Sequence, residues 1–226
     1  MTKSLKHIAF IMDGNRRWAK ANRLNARQGH ETGLKNMMKI IKYCDLMNLK
    51  YASFYTFSQE NWFRNIKEIY GIFYLIDNYG DKMIEEWKES NVNVRIIGDK
   101  YNLPYKVKNW IDKVIDSTQK CTGLNVSLVV NYSGRQEIIH AVNQILQNAE
   151  KKVDSKVLQK YLYTNGMPDP DLCIRTGYES RLSNFFLWQI AYTEIEFADV
   201  LWPDFSEEIL GNIIAKYNKK DRRFGM

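Results

Sequence analysis

Residues 7–18 read HIAFIMDGNRRW, and within them the apolar run Ile8 to Met12 gives way to an acid, a glycine, an asparagine and two arginines. A short apolar run suits a strand buried on both faces, and Asp13-Gly14-Asn15 is turn chemistry at its carboxyl end. Open α/β sheets bind ligands at that end of their strands. Gly14 lets the backbone approach a ligand closely, amides at a helix start can point at an anion, and Arg16 and Arg17 add two fixed positive charges. Together these groups describe a phosphate or diphosphate site. Asp13 would repel the anion unless a divalent cation bridged the two, so a Mg²⁺-diphosphate is the expected ligand. A tight turn beside a solvated arginine pair uses the same residues, and this stretch alone weighs the two readings evenly.

Two later stretches repeat the arrangement. Tyr51 to Phe57 has the aromatic and β-branched content of a strand, and it is followed by Ser58-Gln59-Glu60-Asn61-Trp62-Phe63-Arg64. Leu172-Cys173-Ile174 is a shorter strand, followed by Arg175, Arg181, Leu182 and Ser183, which suggests a second anion site. His30 stands at the start of a helix carrying Leu34, Met37, Met38 and Ile41, where a donor can reach an anion; a satisfied structural histidine is the blander reading. Glu194 opens the last strand, Glu194 to Phe197. It is a candidate second metal ligand, with a surface carboxylate as the alternative.

The elements that must position these groups alternate along the chain. Strands are expected at Ile8 to Met12, Tyr51 to Phe57, Val92 to Ile97, Leu124 to Val130, Leu172 to Ile174 and Glu194 to Phe197, with helices between them. Alternation of this kind implies a mostly parallel sheet of about six strands covered on both faces, a three-layer α/β/α fold. Arg17 to Arg27 reads as one short polar helix. The helix from Ile66 to Glu89 is apolar on two sides, with one stripe through Ile66, Ile69, Tyr70, Phe73, Ile76, Met83, Ile84 and Trp87 and another through Ile72, Leu75 and Tyr79. At this length it spans roughly 36 Å, enough to line a long hydrophobic tunnel, and Gly71 and Gly80 are candidate hinges. Burial in the core alone would also produce a broad apolar face.

The 226 residues suit one α/β domain, residues 1–226, and 45% hydrophobic content supports a substantial core. A net charge of +7 favours anionic partners. The basic residues fall in small groups, including Arg23/Arg27 and Lys219 to Arg223, which suits small anions better than a nucleic acid. Cys44, Cys121 and Cys173 show no Cys-x-x-Cys spacing, so no disulfide framework or zinc cluster is indicated and a reducing cytoplasm fits. No signal-peptide or membrane-spanning run is expected.

Taken together, the blocks His7-to-Lys20 with Gly29-His30-x-x-Gly33, Phe54-to-Arg64 and Arg175-to-Phe205 resemble the cis-prenyltransferases of the undecaprenyl diphosphate synthase kind. Asn131-Tyr132-x-Gly134-Arg135-x-Glu137 and Arg222-Arg223-Phe224-Gly225 extend the match over nearly the whole chain. The resemblance implies successive condensation of isopentenyl diphosphate onto farnesyl diphosphate, with Mg²⁺, to a long-chain cis-polyprenyl diphosphate that serves as a cell-wall lipid carrier. It implies that Asp13 is catalytic and binds the metal with Glu194, and that Asn61 accepts the proton. Gly14, Asn15, Arg16, Arg17, Trp18 and His30 would surround the allylic diphosphate, joined by Ser58, Gln59, Glu60, Trp62 and Arg64. Arg175, Arg181, Leu182 and Ser183 would hold isopentenyl diphosphate. A cytoplasmic homodimer is implied, with Arg223-Phe224-Gly225 reaching across the interface and peripheral membrane contact for product transfer. Two positions depart from the family pattern: Ala26 stands where an arginine is usual, with Arg27 beside it, and Asn65 where a proline is usual.

Three other readings predict different things. A noncatalytic prenyltransferase-like subunit would not need Asp13, Asn61, Arg175, Arg181 and Glu194 together. A haloacid-dehalogenase-like phosphatase would need an aspartate where Asn15 stands, and a nucleic-acid binder would need a continuous basic surface.

Overall fold

Strand β1, His7–Ile11, is fully buried, and its side chains alternate between two apolar clusters. Ile8 and Phe10 enter one and Ala9 and Ile11 the other, the period-two pattern of a strand with a core on each face. In the computed structural model, which describes residues 5–219, β1 pairs with β2 (Tyr51–Ser58) on one side and with β5 (Leu172–Arg175) on the other. With β3 (Asn93–Ile97), β4 (Asn125–Tyr132) and β6 (Glu194–Phe197) the sheet has the order β3-β4-β2-β1-β5-β6. Every pairing is parallel, so the expected mostly parallel sheet is wholly so.

The larger core lies beneath α2 (Ala26–Leu46), α3 (Ile66–Glu89), α4 (Tyr105–Thr118) and α7 (Glu207–Asn218). Across the sheet, α5 (Gly134–Gln147) and α6 (Ser155–Tyr161) share the opposite layer with an irregular block in which Phe185, Phe186 and Ile190 are buried. No helix among the described residues is long and apolar enough to cross a membrane.

Local signals account for most boundaries and for one correction. The polar segment expected as a single helix from Arg17 to Arg27 divides into α1 (Asn15–Ala21) and the start of α2. Arg23 adopts a left-handed backbone, φ 58°, and Asn25 then forms a reciprocal cap with Gln28, each side chain reaching the other's amide at 3.0 Å. His30 therefore sits in the second turn of α2, not at its start. Asn65, where the resemblance leads to an expectation of proline, caps α3 by accepting from the Lys67 amide at 2.9 Å. His7 is structural: its Nδ1 donates to the Pro168 carbonyl and its Nε2 accepts from Ser53, both at 2.8 Å. Burial lowers its imidazole to about 4, so it is neutral at pH 7.

Helix α3 is less two-sided than its sequence suggests. Ile69, Phe73, Met83, Ile84 and Trp87 are buried, whereas Ile66 and Tyr70, expected on the same stripe, are exposed. Ile76 and Tyr79 pack against the core. Gly80 is a packing position and not a hinge, since a Cβ there would lie 2.4 Å from the Trp110 indole nitrogen of α4, while a Cβ on Gly71 would meet nothing. Gly80→Ala should therefore destabilise the fold by about 1–3 kcal/mol through overpacking, and Gly71→Ala should stabilise it by about 0.5–1 kcal/mol. Urea unfolding of both variants measures the difference; equal effects would place α4 away from Gly80.

Candidate active site

The chain turns back on the sheet at β1: β2 follows on one side, and β5, much later, fills the other. A crevice opens at such a switch point, at the carboxyl ends of the strands. Here it is a cavity of about 1420 Å³, lined from β1 by Asp13, Gly14, Asn15, Arg16 and Arg17, from β2 by Ser58, Glu60, Asn61 and Arg64, and from β5 by Arg175, Arg181 and Ser183. His30 completes the wall from α2.

Asp13 is held from behind by its own backbone. Its carbonyl accepts from the Trp202 amide at 3.0 Å and the Thr176 hydroxyl at 2.7 Å, and the turn Trp202–Asp204 is tied in turn to α2 by two bonds from the buried Asn36 amide. Gly14 caps α1 at φ 116°, a conformation that favours glycine, and among the described residues no side chain caps the amides that follow. Those amides remain available to an anion, as the turn chemistry suggested.

The charged side chains form a connected set. Asp13 pairs with Arg17 at 3.2 Å and with Arg175 at 2.9 Å, and Arg17 and Arg181 both reach Glu179. Glu68, in the first turn of α3, pairs with Arg16 at 3.1 Å and Arg64 at 2.9 Å. Five arginines face three carboxylates, which leaves a net positive site suited to a diphosphate. Arg175 is 4% exposed; one Nη donates to the Ser183 hydroxyl and the Arg181 carbonyl, the other to Asp13, and Nε is buried with no partner among the described residues.

Several expected residues stand elsewhere. Trp18 donates its indole N–H to Asp204 at 2.7 Å and so fastens α1 to the turn behind Asp13. Leu182 packs into the smaller core. Gln59 and Trp62 line a neighbouring cleft of about 710 Å³, with Trp62 bonded to Asn131 at 2.8 Å. Glu194 begins β6 in register with Leu172, whereas Asp13 lies beyond Ile11, which is in register with Arg175. Three residues of strand separate those levels, roughly 10 Å, so one chain does not bring Glu194 to Asp13. Arg27 is turned away, over the Tyr74 ring at 4.4 Å and towards Glu31, and it is Arg23 and Lys20 that add positive charge to the cavity wall.

Glu68, Glu179, Arg135 and Asn184 carry no role in the sequence-based expectations, yet they belong to this region. Glu68 follows Arg64 by four residues, the spacing of a helical ion pair, and that signal could have found it. Nothing comparable marks the others. Among the described residues no group of three or more His, Cys, Asp or Glu side chains could hold a metal. Asp13 alone still suits Mg²⁺, which commonly takes one or two carboxylates and completes its shell with substrate phosphates and water.

A parallel sheet whose switch point gathers two arginine groups joined by one aspartate has the build of a strand-end anion site. Residues 11–225 match the family model described as "Putative undecaprenyl diphosphate synthase". Isoprenyl transferases of Clostridium tetani and Fusobacterium nucleatum are 43% and 40% identical, over 97% of this chain in each case and over 89% and 95% of theirs. Among solved structures, lavandulyl diphosphate synthase from Lavandula x intermedia, in complex with dimethylallyl diphosphate, matches with a TM-score of 0.93 and 31% identity over 98% of both chains. A probable undecaprenyl diphosphate synthase from Campylobacter jejuni matches with a TM-score of 0.84 and 35% identity over 99% of this chain and 100% of that one. The chain belongs to the undecaprenyl diphosphate synthase family of cis-prenyltransferases.

His30 supplies a pH test of the cavity. Its Nε2 is buried and has no hydrogen-bond partner among the described residues, and burial lowers the imidazole to about 4, against the pull of Glu68 and with help from Arg64 and Arg16. An anion bound beside it would stabilise the protonated form, so that part of the affinity would be full below about pH 4 and fade as pH rises through the higher value reached in the complex. Farnesyl diphosphate titrations of the wild type and His30→Asn from pH 5 to 7.5 should show a wild-type advantage that grows on acidification. A difference independent of pH would remove His30 from contact with the anion.

Proposed function

We propose that this enzyme condenses isopentenyl diphosphate successively onto farnesyl diphosphate, with Mg²⁺, to a cis-polyprenyl diphosphate of about undecaprenyl length that serves as a cell-wall lipid carrier. The observation that carries the reading is the Asp13–Arg175 contact of 2.9 Å, which joins the loop after β1 to the loop after β5 inside one cavity. Two diphosphates held on those loops would share a wall, as condensation of two diphosphate substrates requires.

The allylic diphosphate is assigned to Gly14, Asn15, Arg16, Arg17, His30 and Arg64, and isopentenyl diphosphate to Arg175, Arg181 and Ser183. In the reaction the allylic C1–O bond breaks and the diphosphate leaves with its electron pair. The isopentenyl double bond attacks C1, and a proton is lost from the adjacent carbon. Arginines and backbone amides stabilise the departing anion, and Asp13 would hold the metal, which supplies further charge neutralisation. Asn61 lines the cavity with its amide oxygen accepting from the Ser58 amide at 3.2 Å. Such an oxygen is a weak base, so it would relay the proton to the departing diphosphate or to water and not retain it. Ile72 is the member of the second α3 stripe that lines the cavity, and it supports the start of a chain-binding wall there.

Dimerisation belongs to the same reading. Ile139, Val142 and Leu146 are 50, 43 and 72% exposed on one stripe of α5, an apolar face suited to a second copy. The Arg223-Phe224-Gly225 segment assigned to that interface lies outside the described residues. A cytoplasmic enzyme delivering its product at a membrane surface is also proposed, supported by the exposed apolar side chains of Phe63, Ile66 and Tyr70 at and just before the start of α3.

Incubation with farnesyl diphosphate, labelled isopentenyl diphosphate and Mg²⁺, followed by chain-length analysis of the extracted lipid, tests the reaction directly. Absence of any elongated product from the folded enzyme would reject it. Asp13→Asn should lower single-turnover condensation by roughly 10²–10³-fold or more and leave farnesyl diphosphate bound. Arg181→Ala should weaken isopentenyl diphosphate binding alone, by about 1.5–3 kcal/mol. Arg175→Ala should impair both substrates, because it also strips Asp13 of its buried partner. Titration of each substrate separately checks this contrast, and an Arg175→Ala effect confined to one substrate would separate the two sites.

A further inference from the structure

The turn that carries Asn61, Gln59–Phe63, and the loop from Arg175 to Ser183 leave different strands, and the structure joins them through Asn184. The Asn184 Nδ2 donates to Glu60 Oε1 at 2.8 Å and to Ser133 Oγ at 2.5 Å. Its Oδ1 accepts from the Arg135 amide at 3.0 Å, and its carbonyl accepts from the Gly134 amide at 2.7 Å. One side chain thus uses both amide hydrogens and its oxygen to bridge the start of α5 and the 3₁₀ turn.

Its chain neighbours carry the chemistry. Ser183 immediately before it takes a hydrogen bond from Arg175 at 2.7 Å, and Arg175 contacts Asp13. Glu60, on the other side of the bridge, immediately precedes Asn61. The tie therefore runs from Asp13 through Arg175 and Ser183 to Asn184, Glu60 and Asn61. Ser183 and Asn184 both adopt left-handed backbones, φ 47° and 64°, and such a conformation persists in non-glycine residues only where the surroundings hold it. Asparagine tolerates it best among residues that also offer an amide. Beyond Asn61, Trp62 is held by a second left-handed asparagine, Asn131 at φ 49°, whose own Nδ2 donates to the Asp99 carbonyl at 2.8 Å. Asn61 is thus suspended between two anchored neighbours, and of the two anchors Asn184 is the one continuous with the Arg175 loop.

We infer that Asn184 is a positioning residue that couples occupation of the Arg175–Arg181–Ser183 anion loop to the placement of Asn61. The inference rests on the assignment of that loop to isopentenyl diphosphate. Diphosphate oxygens bound there engage Arg175 and Ser183, and any adjustment of Ser183 moves its covalent neighbour and, through the bond to Glu60, the catalytic turn. The Asn184–Glu60 contact is at the surface, so it breaks and re-forms readily when the loop shifts.

The test compares the wild type, Asn184→Gly, Glu60→Ala and the double variant. Glycine retains the positive φ and removes the bridge, and Glu60→Ala cuts the same bridge from an exposed position if Asn184→Gly fails to fold. Backbone hydrogen exchange is followed with isopentenyl diphosphate alone, which binds without turnover. In the wild type the ligand should slow exchange in both 181–184 and 58–64. In either single variant it should still bind within about threefold and protect 181–184, while the protection of 58–64 disappears and kcat falls roughly tenfold or more. The double variant should be no slower than the slower single one, since both changes cut one connection. Wild-type protection confined to 181–184, unchanged protection of 58–64 in the variants, or multiplicative losses of kcat would overturn the coupling. Failure of the wild type to bind isopentenyl diphosphate at all would refute the substrate assignment beneath it, a result distinguishable from the others.

Discussion

The ion pair between Asp13 and Arg175 is the contact around which the rest of the site is arranged. β1 and β5 are neighbours, with Ile11 in register with Arg175, so the two side chains meet just where the strands release their loops. A guanidinium as buried as that of Arg175 is unfavourable unless it is paired and hydrogen-bonded. Asp13, Ser183 and the Arg181 carbonyl supply those partners, and the two loops are thereby held in one geometry. The carboxylate that satisfies the arginine is also the one suited to a metal, so the electrostatics of the two loops cannot be separated.

Support for this pair comes from residues with no chemistry of their own. The Asp13 carbonyl is clamped by Trp202 and Thr176, and Asn36 anchors the Trp202 turn to α2. Trp18 fastens α1 to the same turn through Asp204. The Trp18 indole thus acts one layer behind Asp13. Placement of a charged group to within a few tenths of an ångström depends on such supporting contacts, because a loop alone offers too little packing to hold it.

The opposite side of the cavity is organised more loosely. The 3₁₀ turn Gln59–Phe63 presents Phe63 to solvent at 92% exposure, and its ties to the body run through Trp62, Glu60 and the Arg64–Glu68 pair. Polar and aromatic contacts at a surface can rearrange without unfolding the sheet, in contrast to the fully buried β1. Rigid and adjustable walls therefore face each other across one cavity.

The sheet and the charged and turn-forming groups gathered at its edge were determined by sequence alone. Short apolar runs ending in Asp13-Gly14-Asn15, in Ser58-Gln59-Glu60 and in Arg175-Thr176-Gly177 leave little freedom, because period-two burial and turn chemistry are properties of neighbouring residues. The motifs likewise carried the family. Other features were set by tertiary structure, for reasons of distance. The break that makes His30 a second-turn residue depends on a left-handed Arg23, whose side chain gives no such signal. The exposure of Ile66 and Tyr70 follows from where α3 meets the sheet, and the constraint on Gly80 from the approach of Trp110 thirty residues away. The separation of Glu194 from Asp13 follows from strand register, and the Asn184 bridge joins residues 124 positions apart in sequence. Local pattern specifies which groups lie at the strand ends; only the packing of remote segments decides which of them touch.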